Sequence, residues 1–424
     1  MKRGFYTIMS AQFFSSLADN ALFVGAVQLL RSSGAPEWEQ AALVPMFALF
    51  YVVLAPFVGA FADALPKGRV MLISNSIKIV GCLLMLFGTH PLMAYAIVGL
   101  GAAAYSPAKY GILTELLPAS KLVKANGWIE GLTITSIILG VLLGGQLVGH
   151  SISGALLSLD FPFITTSVDT PPEAAICVLI FVYLLAAGFN MRIPHTGVAM
   201  RPMPKRLIAD FLSCNTRLWR DKLGQISLGT TTLFWGVSGN LRYIVLAWAA
   251  MALGYSVTQA SALVGVVAIG TAVGAVVASM RMKLENATHV MPLGIAMGLL
   301  VILLNFITNV WLAAPFLVLL GGLGGFLVVP MNALLQHRGH NLMGAGRSIA
   351  VQNFNEQACI LGLGAFYSLS TRLGLSAFGA ITAFGVVVAG FMWVIKRWHD
   401  HNCTVHAKEV KALLDIARHG KPHG

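Results

Sequence analysis

The sequence predicts an all-helical integral membrane protein with twelve transmembrane helices in two six-helix lobes. Its 424 residues are 57% hydrophobic and only 10% charged, which is far more apolar than an ordinary soluble domain. Apolar stretches long enough to cross a bilayer, at roughly 20 residues per crossing, recur along almost the whole chain. These observations exclude a soluble protein with a single membrane anchor.

The twelve predicted helices come from hydropathy averaged over windows of about 19 residues. The first six lie near residues 5–30, 41–64, 70–89, 92–116, 125–149 and 173–191. The second six lie near residues 224–253, 257–280, 289–308, 310–335, 346–371 and 374–396. The first apolar segment is too long for a signal peptide and no small-residue cleavage site follows it, so we expect it to remain as a helix.

The positions of the basic residues predict the orientation of these helices. Most of the 28 Lys and Arg residues fall in alternate connections and in the two termini, and only Arg31 and Arg372 fall at the opposite helix ends. Basic residues near helix ends collect on the cytoplasmic side. Both termini are therefore predicted to be cytoplasmic, and the net charge of +12 indicates membrane topology rather than nucleic-acid binding.

The longest predicted cytoplasmic connection divides the chain into its two lobes. It covers residues 193–223, which are rich in proline and basic residues, and it joins a lobe at 1–192 to a lobe at 224–398. Residues 399–424 form a hydrophilic tail. For this tail a solvated helix or a disordered segment is favoured over a helix on the membrane surface.

No pattern in the sequence predicts an enzyme, a cofactor or a metal site. There is no GxxxxGK[ST] motif for nucleotide binding and no grouping of nucleophile, base and acid. Three of the five Cys lie in apolar segments, and Cys214 and Cys403 lie in basic stretches predicted to face the cytoplasm. We therefore expect no disulfide bond. We also expect that transport does not use ATP bound at a P-loop.

One loop carries a motif of glycine, acid and basic residues. Gly59 is followed four residues later by Asp63, and then by the turn from Lys67 to Arg69. This resembles the loop signature of the major facilitator superfamily, with one additional residue before the basic pair. There the glycine permits close helix packing, and the acid pairs with a basic group or a helix N-terminus in one conformation only. A solvated loop with incidental charges is the alternative.

Ionisable residues within helices indicate candidate functional positions, since each costs about 2.5–3.5 kcal/mol at a helix centre. Asp19 and Arg242 lie at similar depth in the first and seventh predicted helices, which correspond if the two halves are related by pseudo-symmetry. With the neighbouring Asn20 and Asn240, they are predicted to bind the polar part of a substrate. A purely structural ion pair between Asp19 and Arg242 is the alternative.

The other charged residues of the helices lie mainly in the predicted cytoplasmic half. We expect them to form a gating network that closes this side, with a structural role for individual members as the alternative. The candidates are Asp63, Lys67, Arg69, Lys78, Lys109, Glu115, Glu130, Arg347 and Glu356. The outer half is nearly free of charge, which suits a substrate that arrives from the outer leaflet with an apolar part.

Several longer runs of residues are more specific than the loop motif. They include AQFFSSLADNAL from Ala11, AAAYSPAKYGI from Ala102, GGFLVVPMNALLQ from Gly324, and the pair LFWG and LR that ends at Arg242. These runs resemble the bacterial lysophospholipid transporter family of the major facilitator superfamily. The resemblance covers nearly the entire helical region.

The resemblance implies a function and partners. Members flip lysophosphatidylethanolamine and related lysolipids from the outer to the inner leaflet of the inner membrane, where an acyltransferase restores the second chain. Some members are fused to that enzyme, so the short tail of this chain implies a separate acyltransferase partner; we expect a monomer among membrane lipids. Arg242 is then the candidate for the phosphate, and Asp19 is the candidate for the ammonium group or for holding Arg242 between turnovers.

Two other functions stay open at this point. A major facilitator drug or small-solute transporter coupled to protons would also use a buried carboxylate such as Asp19. A scramblase-like lipid binder or a scaffold would need no directional transport. The sequence leaves the energy source and the preferred headgroup undetermined.

Overall fold

The computed structural model describes residues 3–35, 37–159, 169–255 and 257–419, and these residues form helices without any β-strand. The helices of the first half are α1 (Arg3–Ser32), α2 (Glu37–Val53), α3 (Ala55–Ala64), α4 (Lys67–Leu86), α5 (Pro91–Leu116), α6 (Ala119–Leu147), α7 (His150–Leu157) and α8 (Pro171–Met191). Those of the second half are α9 (Leu207–Arg220), α10 (Gly224–Leu253), α11 (Val257–Arg281), α12 (Met291–Leu303), α13 (Val310–Met343), α14 (Ala345–Arg372), α15 (Ala377–Val405) and α16 (Ala407–His419). Short 3₁₀ turns, Leu284–Val290 and Leu304–Phe306, flank α12.

Each of the twelve predicted segments is helical over most of its length, and the differences have local causes. The second predicted helix is divided into α2 and α3, which meet at an angle of 71°. Pro56 occupies the first turn of α3. Proline lacks the amide hydrogen that would bond to the carbonyl oxygen of Val52, and its ring crowds that carbonyl, so an interruption of the helix near Leu54 follows from the sequence.

Nine helices in the described part of the chain are long and apolar enough to cross a membrane, or eleven if each of two bent pairs counts as one span. The remaining long helix is α14, which has 28 residues but carries Arg347, Gln352, Asn355 and Glu356. Helix α14 is long enough to cross a membrane, but its polar residues keep it from being identified as a membrane span. The count of twelve spans and the cytoplasmic position of both termini therefore stay predictions.

The chain forms two compact units. Unit 1 comprises Met1–Ile112 and Thr135–Ile208, and unit 2 comprises Leu113–Ile134 and Ala209–Gly424. Unit 2 thus includes the end of α5 and the first half of α6. Asn126 in α6 and Gln336 in α13 account for part of this grouping, since their buried amides form two reciprocal hydrogen bonds of 2.9 Å.

Two glycines determine how closely α1 and α6 pack within unit 1. A methyl group on Gly140 would lie 2.7 Å from the carbonyl oxygen of Leu17, and one on Gly144 would lie 2.7 Å from that of Ala21. Nothing lies within 4 Å of the same position on Gly145. The first two glycines therefore permit close helix packing, as small residues do in membrane proteins.

The tail contains the last described helix of the chain. Its described part forms α16, and Val410 and Ala417 are buried. The guanidinium of Arg418 lies 3.1 Å from the carboxylate of Glu285, in the 3₁₀ turn before α12. This part of the tail is consequently a helix that contacts the rest of unit 2 through one face.

Candidate functional site

A buried ion pair lies among the helices of unit 1. The ammonium of Lys78 in α4 is 2.7 Å from the carboxylate of Asp19 in α1, with 2% of the Lys78 side chain and 18% of the Asp19 side chain exposed. The hydroxyl of Tyr183 in α8 donates to the other carboxylate oxygen of Asp19 at 2.6 Å. Three helices thus converge on one carboxylate, which is held by a cation and by a neutral donor.

Polar and aromatic groups surround the ammonium of Lys78. It donates to the hydroxyl of Ser15 at 3.0 Å, and Ser15 donates in turn to the side-chain oxygen of Asn75 at 2.7 Å. The rings of Tyr105 and Tyr183 have their centroids 5.0 and 5.8 Å from the ammonium nitrogen. An aromatic face attracts a cation at such distances, so the charge of Lys78 is stabilised from several sides.

Two polar atoms beside this pair are buried without a hydrogen-bond partner among the described residues. They are the amide nitrogen of Asn75 and the hydroxyl of Tyr105. Burying such groups unpaired costs about 1–3 kcal/mol each. A polar ligand bound beside these two opposite charges would supply the missing hydrogen-bond partners.

Space for the Lys78 side chain comes from a glycine. A methyl group on Gly101 in α5 would lie 2.6 Å from Cγ of Lys78 and 2.7 Å from the carbonyl oxygen of Ser74. The aliphatic stem of Lys78 therefore crosses α5 at a position where no side chain stands. Packing of the stem directs the ammonium toward Asp19.

The loop motif forms a second ion pair in unit 1. The ammonium of Lys67 is 3.0 Å from the carboxylate of Asp63 and donates to the carbonyl oxygen of Ala62 at 2.6 Å. The backbone carbonyl of Asp63 accepts from the amide of Arg201 at 2.9 Å, whereas the side chain of Arg69 is exposed. The acid of this motif is thus paired with the first basic residue of its own turn.

Unit 2 contains a buried cluster of amides and carboxylates. The amide nitrogen of Gln352 donates to Glu356 at 2.7 Å and to the side-chain oxygen of Asn332 at 2.9 Å. The charge of Glu130 acts on Glu356 electrostatically. In unit 1, Lys109 is buried as well, and its ammonium lies 4.1 Å from the ring centroid of Tyr110.

Comparisons with known proteins agree with this architecture. The family model of the Major Facilitator Superfamily matches residues 8–362. The solved structure of the human organic anion transporter MFSD10 (TETRAN) is 13% identical, covers 94% of this chain and 100% of its own, and has a TM-score of 0.73. The transporter FucP in its outward conformation is 13% identical, covers 93% of this chain and 98% of its own, and has a TM-score of 0.71. At such low identity these structures establish the fold alone.

Two curated relatives are much closer in sequence. Lysophospholipid transporter LplT of Yersinia enterocolitica is 39% identical over 88% of this chain and 89% of its own length. LplT of Pectobacterium carotovorum is 39% identical over 89% of this chain and 88% of its own length. The chain belongs to the lysophospholipid transporter family.

Membership of this family places the chain in the inner membrane as a multi-pass protein of the major facilitator superfamily. The resemblance of the sequence to this family is confirmed.

Within this family member, the four predicted substrate-binding residues occupy different surroundings. Asp19 is at the centre of the Asp19 cluster of unit 1, which also contains Ser15, Asn75, Lys78, Tyr105 and Tyr183. The amide of Asn20 donates to the carbonyl oxygen of Ser16 at 2.8 Å, and that of Asn240 donates to the carbonyl oxygens of Gly236 and Ile360 at 2.8 and 3.0 Å. Asn240 therefore joins α10 to α14. Arg242 lies in α10, and its side chain is outside the described residues.

The predicted gating residues also differ in their partners and in their burial. Lys78 is the partner of Asp19 rather than a member of a separate network. Arg347 pairs with Asp210 of α9 at 3.0 Å. Glu130 is buried, whereas Glu115 is partly exposed. No group of three or more His, Cys, Asp or Glu side chains able to hold a metal is found among the described residues.

Sequence reasoning missed the neutral members of the Asp19 cluster. Ser15, Asn75, Tyr105 and Tyr183 contribute hydroxyl and amide groups that carry no charge, so a search for buried charges does not find them. Their polar atoms within apolar helices were the available signal.

Proposed function

We propose that this chain carries lysophospholipids from the outer to the inner leaflet of the inner membrane. The observation that carries the proposal is the 39% identity to proteins named lysophospholipid transporter, over 88% and 89% of the chain. The Asp19 cluster supports it, because two opposite charges enclosed by apolar helices suit a zwitterionic headgroup attached to an acyl chain.

The headgroup binds by exchange of an ion pair. Lys78 and Tyr183 both hold the carboxylate of Asp19. The ammonium of an ethanolamine headgroup replaces Lys78 at Asp19, and the displaced Lys78 then meets the phosphate. Arg242 adds a forked donor that suits phosphate oxygens, and Asn20 and Asn240 line the path.

The acyl tail stays close to lipid while the headgroup crosses. Keeping the chain in hydrocarbon preserves about 0.8 kcal/mol per CH₂, so only the headgroup needs a polar path. Transport proceeds by alternating access between the two halves. Charged residues on the predicted cytoplasmic side, namely Asp63, Lys67, Arg69, Lys109, Glu115, Glu130, Arg347 and Glu356, open and close that side.

The predicted topology completes this proposal. Twelve spans bring both termini to the cytoplasm, where a separate acyltransferase restores the second chain of the delivered lysolipid. The transporter itself acts as a monomer and has no catalytic activity.

Uptake of labelled lysophosphatidylethanolamine into sided proteoliposomes tests the proposal. Asp19→Asn and Arg242→Ala are expected to abolish uptake at equal protein amounts. Asp400→Asn is the matched control for Asp19→Asn, because Asp400 makes only a half-exposed pair with Lys396. Full activity of either site variant would refute the headgroup site.

A proton-coupled transporter of small solutes is the competing function, since Asp19 would also serve as a proton carrier. A competition experiment with a soluble headgroup analogue distinguishes lysolipid transport from small-solute transport. If soluble glycerophosphoethanolamine inhibits uptake as strongly as an intact lysolipid does, the acyl chain is not recognised and lipid transport is excluded. Equal movement of two-chained lipids in both directions would instead indicate a scramblase.

A further inference from the structure

Helix α9, Leu207–Arg220, lies in the connection between the two groups of spans and is amphipathic. One face is buried against unit 2 through Phe211, Cys214 and Leu218. The ring of Phe211 meets that of Phe354 in α14 edge to face, with centroids 5.3 Å apart. The helix is thus attached along its length and is not a free tether.

Polar contacts fix the rotation of α9 about its own axis. Asp210 pairs with Arg347 at 3.0 Å near its N-terminus. The indole nitrogen of Trp219 donates to Asn355 at 3.3 Å, and Asn355 donates to Asn215 at 2.9 Å. Contacts at both ends and in the middle leave one possible orientation for the remaining surface.

The exposed surface of α9 has two chemically different flanks. Ile208 and Leu212 lie one turn apart on one flank, with 61% and 57% of their surface exposed. The other flank presents Ser213, Thr216 and Arg220, all exposed. A helix with one face on protein, one apolar flank and one polar flank is the arrangement expected at a boundary between lipid and water.

The charge around the apolar flank is strongly basic. Residues 200–220 contain five Lys and Arg and a single acid, Asp210, which is already paired with Arg347. Lys205 and Arg206 are exposed directly before the helix begins, and the exposed Met200 and Met203 precede them. Exposed basic and apolar side chains in one short stretch are complementary to an anionic lipid surface.

We propose that the Ile208–Leu212 flank of α9, together with Lys205 and Arg206, docks on the anionic lipid surface of the leaflet on its side of the membrane. The apolar side chains enter the headgroup boundary, and the basic residues bind acidic headgroups. This surface is separate from the Asp19 cluster, so it holds whether or not that cluster binds lysolipid.

Spin labels at two adjacent positions test the docking. Leu212→Cys and Ser213→Cys are made in a variant without native cysteines that retains uptake, and the protein is reconstituted in phosphatidylcholine with or without phosphatidylglycerol. We expect the label at 212 to be more accessible to oxygen than to a water-soluble nickel chelate, and to shift further toward oxygen with phosphatidylglycerol. The label at 213 should stay accessible to the chelate.

The contribution of the basic residues Lys205 and Arg206 is tested separately. Lys205→Gln with Arg206→Gln, or added salt, should remove the shift caused by phosphatidylglycerol. Equal chelate accessibility at 212 and 213 in both lipids would overturn the proposal. Protection of 212 from both reagents would overturn it too, because it would mean that protein, either a partner or a second copy, covers the flank.

Discussion

Two buried acid–base pairs of this chain have similar charges but different construction. In unit 2, Arg338 of α13 holds Asp221 through two hydrogen bonds of 3.0 and 2.6 Å, and Asp221 also accepts from the amide of Gly224 at 2.8 Å. In unit 1, Lys78 holds Asp19 through one contact of 2.7 Å. The first pair fixes the start of α10 and the end of α9, whereas the second joins two helices within the apolar region.

The difference indicates which pair can exchange partners. A guanidinium fork fixes the direction of its carboxylate, while an ammonium is a point charge on a flexible stem. Unpaired donors of Asn75 and Tyr105 also lie beside Lys78. We infer that Arg338–Asp221 is a permanent structural link and that Asp19–Lys78 is the pair that can exchange partners when a ligand enters.

The largest expected effect comes from removing one charge of the exchangeable pair. Lys78→Met leaves the Asp19 carboxylate without its cation, which should lower the free energy of unfolding by about 3–5 kcal/mol and abolish uptake. Adding Asp19→Asn should restore most of the stability but none of the uptake. Unfolding in detergent and lysolipid uptake measure the two effects. Recovery of uptake in the double variant would show that the pair is purely structural.

Removing the permanent link should affect stability without affecting transport. Arg338→Met leaves Asp221 unpaired and should cost about 3 kcal/mol, with uptake per folded molecule unchanged. Arg338→Lys should recover only part of the stability, because an ammonium cannot make both hydrogen bonds. A loss of uptake per folded molecule as large as that of Lys78→Met would remove the distinction between the pairs.

The helices of both units could be predicted from the sequence because hydropathy and charge are properties of short segments. The division at Leu54 was also readable in principle from Pro56. The partner of Asp19 was not, because Asp19 and Lys78 are 59 residues apart and their contact depends on how α1 and α4 are rotated toward each other. Pseudo-symmetry suggested Arg242 as the partner of Asp19, whereas Lys78 and Tyr183 become evident only from the packing of the helices.

The predicted linker, residues 193–223, shows the same limit. Its proline and basic residues predicted a cytoplasmic linker, but composition does not indicate which side chains meet. Asp210 and Asp221 lie close to the two ends of α9, and their partners Arg347 and Arg338 are 137 and 117 residues away. Such pairings are created by tertiary packing and leave no local signal.

A smaller effect is expected from the neutral donor of the Asp19 cluster. Tyr183→Phe removes one hydrogen bond to the carboxylate but leaves Lys78 in place, which should cost about 1.5–3 kcal/mol. If Tyr183 holds Asp19 while Lys78 leaves, the lysolipid concentration for half-maximal uptake should rise about tenfold, equivalent to about 1.4 kcal/mol. Tyr367→Phe, at a half-buried ring packed on Phe384, is the control and should leave uptake unchanged.

The smallest effect is expected from the exposed pair that joins the tail to unit 2. Arg418 is 61% exposed at its side chain and Glu285 is 22% exposed, so water and salt screen their attraction. Arg418→Gln should change the free energy of unfolding by about 0–1 kcal/mol, less at high salt, with normal uptake. Burial of Val410 and Ala417 would keep α16 in place. If Arg418→Gln lowered the free energy of unfolding as much as Arg338→Met does, burial would not determine how much these ion pairs contribute to stability. The contrast between the pairs of Arg338 and Lys78 would then need a different physical basis.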